Sequence, residues 1–99
     1  MTTDVKTEER VVVSLQPPKM WKVIFLNDEH TPMELVIELL TGIFRHTESR
    51  AKEITLEIHN SGSGIAGVYT YEIAEQRSIE ATTAARDNGS PLRIQVEEE

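Results

Sequence analysis

The period of the hydrophobic pattern changes along this chain. From Met20 to Leu26, MWKVIFL sets β-branched and aromatic residues side by side, apolar on both faces, as a buried strand requires. From Met33 the spacing becomes helical. Met33, Val36, Ile37, Leu40 and Ile43 share one face of a helix expected from Pro32 to about Arg45. Thr31 stands where it can cap that helix, Pro32 suits its first position and Glu34 completes a capping box. Thr47 caps a second helix, with Ala51, Ile54, Thr55 and Ile58 inside and Lys52, Glu53 and Glu57 outside. His59 falls on the edge of that inner face, one turn beyond Thr55. NSGSG ends the helix, with Gly62 as its left-handed cap.

The remaining elements are shorter or fainter. IAGVYTY, Ile65 to Tyr71, predicts a second strand, and Thr70 caps a third helix of weak periodicity reaching about Arg86. DNGSP is a turn, LRIQV from Leu92 to Val96 alternates as a strand, and EEE is a solvated tail. The order is β-α-α-β-α-β without an internal repeat. It predicts a compact α+β domain, a three-stranded antiparallel sheet packed against three helices. Residues 1–16 are polar apart from Val11 to Val13 and predict a flexible N-terminal arm. QPPK stiffens the junction, so the domain is expected over 17–99.

Composition narrows the function classes. The 99 residues suit one domain with a modest core. With no cysteine, disulfides and thiolate metal sites are excluded. No apolar run approaches the ~20 residues of a membrane span, and MTTDVKTEER lacks the apolar centre of a secretory signal. Net charge is −7, and the ten Lys and Arg are scattered. That balance argues against nucleic acid, which needs a positive face, and favours cationic partners such as the protonated end of a peptide.

Candidate chemistry gathers at LNDEHTPMEL, where the first strand hands over to the first helix. Asn27, Asp28 and Glu29 have an ordinary explanation, since carboxylates stabilise a helix N-terminus by ~0.3–1 kcal/mol and Asn and Asp favour turns. If the second helix packs back on this loop, His59 joins them. An amide oxygen, carboxylates and an imidazole nitrogen then offer acceptors suited to an ammonium ion. Met33, Val36 and Ile58 would line an apolar pocket beside it. An ammonium next to an apolar side chain describes a free peptide N-terminus. The rival is a metal held among Asp28, Glu29, His30, His46 and His59, but no HExxH or HxH spacing supports it. There is no GxSxG nucleophile, and Gly62, Gly64 and Gly67 read as turn and bulge glycines rather than a phosphate loop.

PPKMWKVIFLNDEHTPMELVIELL, RAKEITLEIH and GVYTYEIAE together resemble the ClpS adaptor family, from about Pro17 to Val96. The specific combination is N-D-x-x-T-P-M, a histidine ending the second helix, and G-V-Y-T before the third. The resemblance implies a non-enzymatic, cofactor-free, monomeric bacterial cytoplasmic adaptor of the N-end rule. It would bind the free N-terminal Phe, Tyr, Trp or Leu of substrate proteins and deliver them to the N-terminal domain of a Clp AAA+ unfoldase, ClpA or ClpC. It also implies residue roles. Asn27 and His59 would bind the substrate α-amine, with Asp28 and Glu29 supporting the amine and first peptide unit. Thr31, Met33, Val36, Thr55, Ile58 and Leu92 would form the pocket. Glu72 and Arg77 would contact the unfoldase, and the tail before Pro17 would engage it during delivery. Two residues depart from the family pattern. Glu29 replaces the usual second Asp, and Thr55 replaces a usual Met. A non-catalytic interaction domain of ribosomal-stalk-like shape is the alternative.

Overall fold

The computed structural model describes residues 16–99, so the expected arm lies outside the described residues except for Gln16. The elements are β1 (Trp21–Leu26), α1 (Met33–Gly42), α2 (Glu48–Ser61), β2 (Ser63–Tyr69), α3 (Tyr71–Asp87) and β3 (Arg93–Glu98). The sheet is antiparallel with strand order β2-β1-β3, so the first strand is central and the other two are edges. This is the expected α+β arrangement. β1 buries one face completely, at Val23 and Phe25, while Lys22, Ile24 and Leu26 on the other remain half-buried. The expectation of a strand buried on both faces is corrected accordingly: the core lies between the Val23/Phe25 face and the helices.

Helix α2 follows its sequence pattern closely. Thr47 Oγ1 accepts the Arg50 N–H at 3.1 Å, and Ala51, Ile54, Thr55 and Ile58 are the helix's buried residues. Gly62 takes φ 92°, left-handed geometry that costs a residue without Cβ nothing. The chain therefore turns directly from α2 into β2. At Gly64 the approach is close enough that a Cβ would stand 2.7 Å from Ile58 Cγ1, so only glycine lets α2 lie this near the sheet. Opposite Val23 and Ile24 the register skips Ala66 as a bulge.

Helix α1 departs from expectation at both ends. Its N-cap is Pro32 in extended geometry, with no side chain capping the turn; Leu35 N–H and Val36 N–H reach the Pro32 carbonyl instead. The Thr31–Glu34 capping box does not form: the helix begins one residue later than expected, with Pro32 as its N-cap, and the Thr31 hydroxyl turns back to donate to the Asp28 carboxylate at 2.7 Å. The helix ends at Gly42 rather than near Arg45. Arg45 adopts φ 62°, and His46 N–H returns to the Leu40 carbonyl. The apolar period runs on because Phe44, just past the helix, still enters the core and meets Phe25 edge to face.

The other boundaries shift slightly. β2 begins at Ser63 and stops at Tyr69, which gives Tyr71 to the first turn of α3. Thr70 is the N-cap of α3 but makes no side-chain capping bond. β3 runs to Glu98, taking in two of the three terminal glutamates expected to form a tail.

Candidate functional site

Asn27 stands one residue past β1, and its N–H bonds the Gly62 carbonyl at 2.9 Å. That bond fixes the β1–α1 loop to the end of α2, three residues beyond His59. The loop is then shaped by one carboxylate. Asp28 Oδ1 accepts the N–H groups of His30 at 2.7 Å and Thr31 at 2.9 Å, while Oδ2 accepts the Thr31 hydroxyl. Burial pushes the Asp28 carboxyl up, but the Thr31 hydroxyl, the two backbone N–H groups and nearby His30 outweigh it, so its pKa lies below the ordinary 3.8.

Around this loop is a concavity of about 190 Å³. Every residue expected at the amine end and in the pocket lines it: Asn27, Asp28, Glu29 and His59, with Thr31, Met33, Val36, Thr55, Ile58 and Leu92. The polar and apolar members are segregated by accessibility. Asn27, Glu29 and His59 are exposed at the mouth, whereas Val36, Thr55, Ile58 and Leu92 are buried in the wall. Thr55 is only 4% exposed, and its hydroxyl bonds back to the Ala51 carbonyl at 2.7 Å, so it presents no unpaired donor to the cavity. Met33 is partly open and, with Thr55, separates this cavity from a second, wholly apolar groove lined also by Ile37, Lys52 and Leu56.

One lining residue, and one residue bonded to the lining, were not singled out by sequence reasoning. Leu26, read only as the end of a strand, joins the wall. Ser90, hidden in the DNGSP turn, is 3% exposed and its hydroxyl lies 2.7 Å from that of Thr31. No periodic signal marks a turn residue as buried, and Ser90 is found only from the packing.

The rival metal donors do not assemble. His46 turns inward and gives its Nε2–H to the Ala66 carbonyl at the bulge. Among the described residues no group of three His, Asp or Glu side chains is placed to hold a metal ion, and no helix is long and apolar enough to cross a membrane. On α3, Glu72 is exposed, whereas Arg77 is half-buried and paired with Glu80 at 3.1 Å.

Fold and cavity define a small α+β module with one apolar socket under a polar mouth. Residues 16–95 match the family model for the ATP-dependent Clp protease adaptor protein ClpS. The chain is 44% identical over 82 residues to the ATP-dependent Clp protease adapter protein ClpS of Deinococcus radiodurans, covering 83% of this chain and 73% of that protein. It is 44% identical over 90 residues to the corresponding protein of Bdellovibrio bacteriovorus, covering 91% and 79%. Among solved structures, Agrobacterium tumefaciens ClpS2 bound to L-phenylalaninamide superposes with a TM-score of 0.80 at 36% identity, over 84% of this chain and 100% of that one. The chain belongs to the ClpS family, adaptors of the ATP-dependent Clp protease. Membership in that family sets aside the ribosomal-stalk-like alternative.

The Asp28 arrangement has a signed pH dependence. A carboxyl whose folded pKa is lowered contributes stability that is fully present above its unfolded value and lost as pH falls through the folded one. The amide resonances of His30 and Thr31 should therefore shift on acidification with a midpoint below the ordinary 3.8. Movement centred above 3.8 in an NMR titration would contradict the carboxylate's role in ordering the loop.

Proposed function

We propose that the socket receives the N-terminal residue of substrate proteins. The observation that carries this reading is the division of one cavity into an exposed, acceptor-rich mouth and a buried apolar wall. L-phenylalaninamide, the ligand of the Agrobacterium neighbour, supports it. That molecule joins a free α-amine to an aromatic side chain and an amide, the elements of a peptide's first residue. In this chain Asn27 and a neutral His59 accept from the α-amine, while Asp28 and Glu29 balance its charge and meet the first peptide unit. Thr31, Met33, Val36, Thr55, Ile58 and Leu92 enclose Phe, Tyr, Trp or, more weakly, Leu. The protein performs no chemistry itself. It works in the bacterial cytoplasm as a monomer that hands substrates to the N-terminal domain of a Clp unfoldase, ClpA or ClpC.

Acetylating the amine removes its charge and all but one of its N–H donors. Each unmade polar contact costs ~1–3 kcal/mol, so Asn27→Ala and His59→Ala should each weaken binding about 5- to 150-fold with the circular dichroism spectrum unchanged. The same loss or more is expected when a Phe-initiated peptide is acetylated. Fluorescence anisotropy reads all three, and equal affinity for free and acetylated peptides would end the proposal.

Thr55 sets the side-chain preference. It is shorter than a methionine, and its hydroxyl is already engaged with Ala51, so it leaves unfilled volume on one wall. Leu spans that gap less well than an aromatic ring, at roughly 0.8 kcal/mol per missing methylene-sized contact. Aromatic residues should bind more tightly than Leu, and Thr55→Met should recover Leu binding with little gain for Trp. Unaltered Leu and Trp affinities in the variant would refute this assignment.

Delivery uses α3 and residues 1–16. Glu72 and Arg77 lie five positions apart, about 140° around the helix, so a partner touching both must cover a broad face. Reversing both charges should abolish unfoldase binding while peptide affinity persists. Removing residues 1–16 should spare both binding steps and stop degradation. Full degradation by the shortened chain would show that those residues have no part in delivery.

A further inference from the structure

The hydroxyls of Thr31 and Ser90 form a relay whose hydrogen atoms can be assigned. Thr31 has one hydroxyl hydrogen, and it goes to Asp28 Oδ2 at 2.7 Å. The 2.7 Å contact between Thr31 Oγ1 and Ser90 Oγ therefore requires Ser90 to donate. Ser90 Oγ in turn accepts the N–H of Leu92 at 3.1 Å. The relay runs from the Leu92 backbone, through both hydroxyls, to the carboxylate that shapes the loop. Leu92 belongs to the apolar wall and Asp28 to the polar mouth, so Ser90, not itself a lining residue, links the two through hydrogen bonds.

Ser90 is itself held tightly. Its N–H reaches the Ala85 carbonyl at 2.9 Å, and its carbonyl accepts Arg86 Nη1 at 2.8 Å. The same guanidinium nitrogen also donates to the Leu92 carbonyl at 2.8 Å. Every polar atom of Ser90 is thus occupied, and the last turn of α3 clamps the segment that carries it.

We propose that Ser90, clamped by Arg86, is a positioning residue for peptide recognition: by donating to Thr31 it fixes the rotamer from which the Thr31 hydroxyl meets Asp28 and so keeps that carboxylate an oriented acceptor at the cavity mouth. This inference rests on the reading of the cavity as the site for a peptide amine. Without the Ser90 donor, the Thr31 side chain loses the bond that holds its rotamer, and the side-chain bond that contributes most to lowering the Asp28 pKa is weakened. The other ionisable groups lining the cavity with Asp28 are Glu29 from its own loop and His59 from α2, with His30 two positions along the chain. Arg86 reaches only backbone carbonyls here. None of these groups replaces the hydroxyl bond.

The test uses the full chain and two readouts. Carbon-detected NMR of the ligand-free protein follows the Asp28 carboxyl, and anisotropy follows a Phe-initiated peptide and its acetylated twin. In Ser90→Ala the Asp28 titration should rise toward 3.8, and affinity for the free peptide should fall about tenfold, the loss of one charge-assisted bond. Ser90→Cys, which keeps the volume but donates weakly, should move both readouts in the same direction. Ser90→Thr, which keeps the hydroxyl, should restore them. A folded Ser90→Cys or Ser90→Ala protein with Asp28 titrating as in the wild type would overturn the proposal, whatever its stability. If the wild type does not distinguish free from acetylated peptide, the recognition reading fails instead. The Asp28 titration separates the two failures.

Discussion

The site depends on the hydrogen bond from the Asn27 N–H to the Gly62 carbonyl. It joins the last turn of the central strand to the cap of α2, two points 35 residues apart in sequence. On one side of it Asn27, Asp28 and Glu29 leave the sheet; on the other His59 ends the helix. The bond exists because Gly62 reverses the chain in left-handed geometry and Gly64 lets α2 settle against the sheet without a Cβ in the way. Two glycines, neither bearing a functional group, thereby decide how far apart the amide and the imidazole stand.

The second constraint is the division of labour among acceptors. Asp28 directs its bonds inward, to two N–H groups and a hydroxyl of its own loop. Asn27, Glu29 and His59 remain exposed. The carboxylate is thus both framework and charge, which explains how a loop of turn-forming residues holds one shape without a side-chain cap on the helix that follows. The wall below needs no such device, because buried apolar groups pack without directional bonds.

How much of this was legible in the chain differs by element. The inner face of α2 was readable in full, because helical spacing and burial coincide at Ala51, Ile54, Thr55 and Ile58. Its left-handed end was readable because glycine announces such geometry. The start of α1 was misread: Thr31 and Glu34 satisfy a local capping rule, but the cap falls on Pro32 and the Thr31 side chain is drawn back to a carboxylate three residues upstream. The end of α1 was misread because Phe44 continues the apolar pattern into the core after the helix has stopped. Ser90 was invisible, since its partner is 59 positions away and no local pattern encodes a bond of that span. The site residues other than Ser90 and Leu26 were named through the resemblance as much as through their chemistry.

The placement of the first strand in the middle of the sheet leaves β2 and β3 as edge strands, with no further strand beside them among the described residues. Open edges invite a passing extended chain to add itself as another strand, a hazard for a protein proposed to handle polypeptides on their way to being unfolded. Each edge carries its own deterrent. β2 is broken by the bulge at Ala66, and β3 alternates Arg93, Gln95 and Glu97 outward before ending in glutamates. The bulge in β2 and the charged residues of β3 thus insulate the two edges along which an extended chain could anneal.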